Sequence, residues 1–183
     1  VDSLWSHGGG RRQHVPAAAR FYQVDVRDPE LREVIRTEQP EVINHHAAQH
    51  SVKLSTDDPA YDAQVNVLGL INLLGAAREA GVRKVIFPSS AATYGTVEHL
   101  PIDEDTPQHP ESPYGITKMV SEHYLHFWQH EYGLTYTALR YSNVYGPRQD
   151  PNGEAGVVAI FARRFLDRRP VRIYWDGEQT RDY

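Results

Sequence analysis

Apolar, β-branched and aromatic runs alternate along this chain with segments of helical periodicity, and this alternation limits the possible fold more than any other feature. The runs that predict strands are residues 19–26, 41–48, 84–90, 135–145 and 171–174. The segments that predict helices lie between them, at residues 29–39, 59–80, 113–132 and 155–167. Connections of this length join parallel strands through right-handed crossovers. We therefore predict a doubly wound parallel α/β sheet with helices on both faces.

Capping residues support two of these helix boundaries. Asp28 precedes Pro29 and Ser112 precedes Pro113, so a capping side chain is followed by a proline in the first turn. Gly133 follows the third helical segment, where a left-handed residue commonly ends a helix.

Apolar periodicity and proline content separate buried from exposed segments. Residues 59–80 carry an apolar stripe that we expect to face the core: Val67, Ile71, Leu74 and Ala77. Residues 97–111 are acidic and rich in proline, which predicts a surface loop, and residues 152–156 predict another.

Composition excludes several classes of function. The 183 residues suffice for one domain and part of another, and the formal net charge of −5 argues against a nucleic-acid groove. The absence of Cys removes disulfides and thiolate metal sites, and is compatible with a reducing cytosol. No apolar run is long enough for a membrane span, and the first residues lack a signal-peptide pattern. Because residue 1 is not Met and no turn closes the other end, we expect a piece of a longer protein.

Small and polar residues stand where the predicted strands end. These ends are Asp25-Val26, Ala47-Ala48-Gln49, Ser89-Ser90 and Ser142-Asn143. Ligands of open α/β sheets bind at the carboxyl ends of the strands, and small side chains let a flat ligand approach the backbone. Ordinary turn chemistry explains any single one of these ends equally well.

Tyr114 and Lys118 form the sharpest chemical pattern. Their spacing of four residues places the phenol and the ammonium on one face of a helix. A phenol with a pKa near 10 becomes a usable base when a cation stabilises the phenolate. Ser90, about 24 residues earlier at a strand end, could hydrogen-bond the same substrate oxygen. We predict these three residues as the catalytic group.

Several ordered motifs together resemble a known family. They are Ser89-Ser90-Ala-Ala-Thr-Tyr94-Gly, Pro113-Tyr114-Gly-x-x-Lys118 and Arg140-Tyr141-Ser-Asn143-Val-Tyr145-Gly-Pro147-Arg148. The combination resembles the extended short-chain dehydrogenase/reductase family, in particular its NAD-dependent, UDP-glucose 4-epimerase-like members. The resemblance covers essentially the whole chain. It implies that residues 1–150 form a Rossmann-like NAD-binding domain without its first strand and glycine-rich turn, and that residues 151–183 begin a substrate-binding region.

The resemblance also assigns cofactor and substrate positions. It implies that NAD contacts Asp2, Ser3, Asp25, Val26, Ala47, Ala48, Gln49, Asn66, Ser89, Tyr114, Lys118 and Tyr141. It implies that a nucleotide sugar contacts Ser90, Asn143, Tyr174 and Arg181, with Asn143 and Arg181 on the diphosphate and Tyr174 near the uracil. The Asp2 carboxylate favours NAD over NADP because it would repel a 2′-phosphate.

The implied reaction is epimerisation at C4 of the sugar. In the family the Tyr114 position takes the proton of the 4-hydroxyl while NAD accepts the C4 hydride, and hydride then returns to the other face of the ketone. Related dehydratases carry an acidic pair after the serine, whereas this chain has Ala91 and Ala92, which transfer no protons. The resemblance also implies a homodimer through helices 59–80 and 113–132, and we expect a cytoplasmic location.

Some features depart from the family or admit other interpretations. The glycine-rich phosphate turn is absent, and Gly8-Gly9-Gly10 does not replace it because it follows the second strand. Trp5 and Trp175 stand where relatives have smaller residues. A UDP-glucuronate epimerase, a sugar-nucleotide oxidoreductase and a catalytically silent nucleotide-binding fragment remain alternatives. His126 and His130 are one helical turn apart, but a solvated helix face explains them better than a metal site.

Overall fold

A computed structural model describes residues 1–5, 10–151 and 156–183 and contains a three-stranded parallel sheet flanked by helices. The strands, in spatial order, are β1 (Val42–Asn44), β2 (Lys84–Ser90) and β3 (Thr135–Tyr141). The helices are α1 (Glu30–Glu38), α2 (Val52–Asp57), α3 (Pro59–Ala63), α4 (Gly69–Glu79), α5 (Pro113–Tyr132) and α6 (Val157–Leu166). Short 3-10 turns occupy Arg12–His14 and Ala91–Thr93. The predicted parallel α/β architecture is confirmed.

The core lies between the central strand and the helices that pack on it. Val85 and Phe87 of β2 are almost fully buried, as are Leu70 and Leu74 of α4 and Leu125 of α5. Each such side chain contributes roughly 1.5–3 kcal/mol through burial. Val24 and Val26, which precede α1, join the same cluster.

Several predicted strands are shorter than expected or are not formed. Residues 19–26 make no strand. A strand requires backbone pairing with a neighbouring segment, and among the described residues this segment makes one backbone hydrogen bond to such a neighbour, from the Asp2 N–H to the Tyr22 carbonyl at 3.2 Å. Residues 171–174 also form none. The strand predicted at 135–145 stops at Tyr141, after which the Asn143 N–H donates to the Asp182 carbonyl instead.

A π-helical segment, Gln64–Leu68, interrupts the helix predicted at 59–80. Such a segment inserts an extra residue into a helical turn and rotates everything after it. The predicted stripe therefore has the wrong phase: Val67 and Ile71 are only partly buried, and the fully buried face carries Asn66, Leu70 and Leu73 together with the expected Leu74 and Ala77.

The caps of α5 are confirmed in atomic detail. The Ser112 hydroxyl accepts a hydrogen bond of 3.1 Å from the Gly115 N–H, and Gly133 closes the helix in the left-handed region with φ of 70°. The predicted last helix begins at Val157, and its expected first residue, Ala155, lies outside the described residues, as do Gly8, Gly9 and most of the loop 152–156. No helix of the described residues is long and apolar enough to cross a membrane.

Candidate active site and cofactor cleft

A cavity of about 520 Å³ opens at the carboxyl end of β1, between this strand and the segment before α1. Its walls include seven of the residues predicted to contact a cofactor, namely Asp2, Ser3, Asp25, Val26, Ala47, Ala48 and Gln49. Trp5, Tyr61, His45 and His46 also line it. The structure thus brings these seven predicted cofactor residues, from three separate segments of the chain, into one cleft, whereas Asn66, Ser89, Tyr114, Lys118 and Tyr141 do not line it.

The acidic residues of the cleft are held by local hydrogen bonds. The Asp2 carboxylate accepts from the Leu4 N–H at 2.7 Å. Asp25 binds Arg27 through both carboxylate oxygens, at 2.9 and 2.8 Å, and the hydrogen bonds from Arg27 lower the pKa of the Asp25 carboxyl. The Arg27 guanidinium in turn lies 5.4 Å from the centre of the Tyr61 ring.

The Asn66 side chain binds the backbone of Gln49, a residue of the cleft wall, in the way that a neighbouring strand would. Its side-chain oxygen accepts from the Gln49 N–H and its Nδ2 donates to the Gln49 carbonyl, both at 2.9 Å. Both residues are buried, with exposed fractions of 3% and 1%. The backbone that leaves β1 therefore keeps satisfied polar groups although it no longer belongs to the sheet.

Lys118 is buried on the inner face of α5, beside Tyr114. Its ammonium donates a hydrogen bond of 2.8 Å to the Pro88 carbonyl of β2 and lies 5.7 Å from the centre of the Tyr114 ring. Burial lowers the Lys118 pKa to about 8, although the charge of Asp62 opposes that shift. His45 faces the same region, and burial together with the Lys118 charge lowers its pKa to about 3. A lysine cation next to the phenol is the arrangement that a tyrosine base requires.

Gly115 brings the start of α5 against the turn that follows Ser90. A Cβ on Gly115 would lie 2.5 Å from the Ala92 carbonyl oxygen, so only glycine permits this approach. Ser90 begins the same turn, where its hydroxyl accepts from the Ala92 N–H at 3.1 Å. The predicted Ser90, Tyr114 and Lys118 are therefore brought together by the packing of α5 on the end of β2.

Ser89 lies apart from the cleft. Its hydroxyl donates to a Glu122 oxygen, and Glu122 pairs with Arg140 of β3 at 2.7 Å. Arg140 also donates to the Tyr94 hydroxyl at 2.8 Å. The side chain of Ser89 thus belongs to a polar cluster under α5 that sequence reasoning missed, and its predicted cofactor contact stays a prediction.

Three of the predicted substrate residues, Asn143, Tyr174 and Arg181, are exposed and do not line the cleft. Asn143 donates from Nδ2 to the Asp182 carbonyl at 2.9 Å, which places it beside the segment that contains Arg181. Tyr141, a predicted cofactor contact, is 39% exposed and does not line the cleft either. The proposed diphosphate contacts of Asn143 and Arg181 stay predictions.

Sequence reasoning also missed three buried polar residues behind the site. Ser55 hydrogen-bonds the start of α5, and Asp62 and Thr117 are joined at 2.8 Å. No pattern marks them, since each acts across more than fifty positions of sequence. Within the described residues, no three His, Asp or Glu side chains are placed to hold a metal ion.

A parallel α/β layer with a cleft at the strand ends, together with a Tyr-x-x-x-Lys pair whose lysine is buried, defines a Rossmann-like enzyme class. The profile of the NAD dependent epimerase/dehydratase family matches residues 3–183, and the chain belongs to this family. The UDP-glucose 4-epimerase of Mycolicibacterium smegmatis is 49% identical over 189 residues, covering 100% of this chain and 59% of the relative.

Two crystal structures show the same architecture. The UDP-glucose 4-epimerase of Thermotoga maritima with UDP-glucose aligns with a TM-score of 0.94 and 46% identity, over 100% of this chain and 59% of that protein. The Thermus thermophilus enzyme in complex with NAD aligns with a TM-score of 0.85 and 50% identity, over 88% of this chain and 53% of that protein. The chain therefore spans a little over half the length of these relatives.

Proposed function

We propose that the full-length protein containing this chain epimerises C4 of a nucleotide sugar of the UDP-glucose/UDP-galactose type, with NAD as cofactor. The observation that carries the proposal is the buried Lys118 ammonium, 5.7 Å from the centre of the Tyr114 ring, on a helix that packs against the turn after Ser90. The relatives that are UDP-glucose 4-epimerases support the substrate class.

The cleft residues fit NAD. Ala47 and Ala48 leave room for a flat ligand against the backbone, and the Asp2 carboxylate at the rim can accept hydrogen bonds from ribose hydroxyls. The remaining cleft residues, Ser3, Asp25, Val26 and Gln49, would line the adenosine side. When bound, NAD supplies a reversible acceptor for the sugar C4 hydride.

The side chains of this protein would carry out the proton transfer from the sugar 4-hydroxyl. Tyr114 would accept the proton of the sugar 4-hydroxyl, and the Lys118 cation would stabilise the phenolate and hold the nicotinamide ribose. Ser90 would donate a hydrogen bond to the same sugar oxygen as it becomes a carbonyl oxygen. Asn143 and Arg181 would bind the diphosphate, which suits the charge of Arg181.

The residues after Ser90 distinguish epimerisation from dehydration. Elimination of water needs an acid and a base beside the sugar, whereas Ala91 and Ala92 carry only methyl groups. Both are partly buried, and the Ala92 carbonyl lies against Gly115, the residue after Tyr114. We therefore favour a reaction that ends with return of the hydride to the same carbon.

The test uses the full-length protein with UDP-glucose and separates products by chromatography. UDP-galactose is the expected product, and a 4-keto-6-deoxy sugar as main product would overturn the proposal. Conversion of UDP-glucuronate alone would favour the alternative epimerase. Tyr114→Phe should lower turnover by at least about a hundredfold while nucleotide-sugar binding persists, and Tyr132→Phe, on the exposed end of the same helix, is the matched control.

We also propose that the protein forms a homodimer through α4 and α5. Phe127 and Tyr132 are 45% and 39% exposed on α5, and the nearby Trp128 ring contacts both. Apolar aromatic patches of this kind favour protein contacts. Light scattering on the full-length protein should give a dimer that Phe127→Glu disrupts and that His99→Glu, at an exposed position of the loop 97–111, leaves intact. A monomeric wild type would contradict the proposal. A cytoplasmic location stays a prediction.

A further inference from the structure

Asp62 of α3 is a carboxylate with no solvent exposure behind the Tyr-x-x-x-Lys helix. One oxygen accepts from Gln49 Nε2 at 2.7 Å and from Asn66 Nδ2 at 3.0 Å. The other oxygen accepts from the Thr117 hydroxyl at 2.8 Å. All three donors are neutral, so none of them neutralises the buried charge.

The hydrogen bonds of Asp62 lead directly to the proposed base. Thr117 precedes Lys118 in α5, and the Thr117 hydroxyl also lies 3.0 Å from the Tyr114 carbonyl. The ammonium of Lys118 is bound to the neutral Pro88 carbonyl and lies over the Phe87 ring, 4.6 Å from its centre. The buried Asp62 carboxylate, bound to Thr117, and the buried ammonium of the next residue, Lys118, are therefore close enough to interact electrostatically.

Three titratable groups face Lys118 from the elements around it. Tyr114 lies on its own helix, His45 follows β1, and Asp62 lies on α3. Burial lowers the Lys118 pKa to about 8, and the Asp62 charge acts in the opposite direction. Burial raises the pKa of the Asp62 carboxyl, against the hydrogen bonds from Thr117 and Gln49 and the charge of Lys118. His45 would add a like charge only when protonated.

We propose that Asp62 is a positioning residue whose buried carboxylate is the counter-charge that keeps Lys118 protonated beside Tyr114. The role rests on the proposed function, since it acts through the Tyr114 base. Asp62 hydrogen-bonds the predicted cofactor residues Gln49 and Asn66 from behind, and it does not itself line the cleft. Its charge sets the upper end of the pH range in which Lys118 can stabilise the phenolate.

Asp62→Asn tests the charge while it preserves the shape. The amide oxygen can take the place of the oxygen that accepts from Gln49 and Asn66. The amide nitrogen can then donate to the Thr117 hydroxyl, because that hydroxyl can turn its own proton to the Tyr114 carbonyl. Each polar group keeps a partner, so we expect the variant to fold. Asp62→Glu is the complementary variant, since it keeps the charge and disturbs the packing.

The readout is the titration of Lys118 itself. Full-length protein with ¹³C-labelled lysine gives a Cε signal for Lys118, assigned by its loss in Lys118→Arg, and its midpoint is followed by NMR. We expect Asp62→Asn to lower the midpoint by roughly one pH unit, the effect of removing one nearby opposite charge. Asp62→Glu should stay near the wild-type midpoint. Asp58→Asn, which removes an exposed carboxylate from the same helix start, should change nothing.

Activity provides the second readout. If Lys118 must be protonated, a midpoint one unit lower leaves about a tenth of it charged at pH 8 instead of half, so turnover there should fall about fivefold while it changes little near pH 6. An unchanged Lys118 midpoint in Asp62→Asn would overturn the inference and leave Asp62 a packing residue. Wild-type protein that does not epimerise nucleotide sugars would instead overturn the proposed function, whatever the titration shows.

A further variant covers the case in which Asp62→Asn does not fold. Asp62→Ser removes the same charge, and its hydroxyl can still accept from Gln49 or Asn66. The lost counter-charge should lower the Lys118 midpoint in the same direction as Asp62→Asn does. A midpoint that stays at the wild-type value would contradict the inference.

Discussion

The Ser55 hydroxyl accepts a hydrogen bond of 3.1 Å from the backbone N–H of Tyr114. Ser55 is fully buried in α2, and its hydroxyl donates to the Val52 carbonyl at 2.7 Å. The first N–H groups of a helix have no partner within the helix. The short helix α2 therefore supplies an acceptor for the backbone N–H of the residue that we propose as the base, and it anchors the start of α5.

Ser55→Ala should weaken both the fold and the reaction. The variant removes the acceptor that Ser55 offers to the partly buried Tyr114 N–H, so we expect the free energy of unfolding to fall by about 1–2 kcal/mol in urea titrations. Turnover should fall roughly threefold to tenfold because the start of α5 loses its anchor. Thr56→Ala removes an exposed hydroxyl that bonds the same Val52 carbonyl and should be nearly neutral. Equal effects of the two variants would contradict the anchoring role.

Gly95→Ala should be strongly destabilising. Gly95 has φ of 64°, and an added Cβ would lie 2.1 Å from the His109 carbonyl oxygen. We expect a loss of about 2–4 kcal/mol from the clash and the strained backbone together. Gly133→Ala is the matched control because its φ is 70° but no atom lies within 4 Å, so about 1 kcal/mol should be lost. Chemical denaturation of both variants separates the clash from the strain.

The Glu122–Arg140 ion pair should contribute far more to stability than the surface pairs. The two side chains are only 12% and 22% exposed. Glu122→Gln should cost about 2–4 kcal/mol, since Arg140 would lose its anionic partner in a partly buried site. Glu33→Gln, which breaks an exposed pair with Arg36, should cost less than about 1 kcal/mol. If thermal or chemical unfolding showed the same loss of stability for Glu122→Gln and Glu33→Gln, burial would not strengthen the Glu122–Arg140 ion pair.

The Glu122–Arg140 pair also predicts that the folded state becomes less stable in acid. Burial alone would raise the pKa of the Glu122 carboxyl, but the hydrogen bonds from Arg140, Ser89 and Gln108 outweigh it and the pKa is lowered. A carboxyl with a lowered pKa in the folded state stabilises the protein above its unfolded pKa, near 4.3. This stabilisation is lost as the pH falls below that value. The Glu122→Gln variant should therefore lose stability less steeply than the wild type in that range.

His45 should make the stability of the fold depend on pH at less acidic values than Glu122 does. Its folded pKa is about 3, whereas an unfolded histidine titrates near 6.5. The unfolded state binds the proton first, so stability should fall as the pH drops below 6.5, by about 2 kcal/mol at pH 5. His45→Gln should flatten the unfolding free energy between pH 6.5 and 5. His126→Gln, at an exposed position of α5, should keep the wild-type slope, and a steep slope in both variants would refute the assignment.

The features that could be predicted from sequence are those that depend on residues close together along the chain. Ser112 and Gly133 cap α5 where their types indicate, and the four-residue spacing puts Lys118 beside Tyr114. The small residues Ala47 and Ala48 line the cleft because strand ends of a parallel sheet meet at one edge. Local pattern was enough in each of these cases.

The missed features depend on partners far away in sequence or on a single inserted residue. The π-helical segment Gln64–Leu68 changes which side of α4 is buried, and no residue type in the segment predicts a π-helix. Ser55 and Asp62 contact α5 across more than fifty positions. Residues 19–26 have a strand-like composition, but a strand exists only where a neighbour pairs with it.

Ser89 and Ser90 are adjacent, yet their side chains serve different surroundings because successive residues of a strand point to opposite faces. The Ser89 hydroxyl is bound to Glu122 under α5, whereas the Ser90 hydroxyl begins the turn that meets the start of α5. A substitution at position 89 therefore acts on the Glu122 cluster, and one at position 90 acts on the turn against which α5 begins. Within a single dipeptide, the stability of the polar cluster and the placement of the start of α5 can thus change independently.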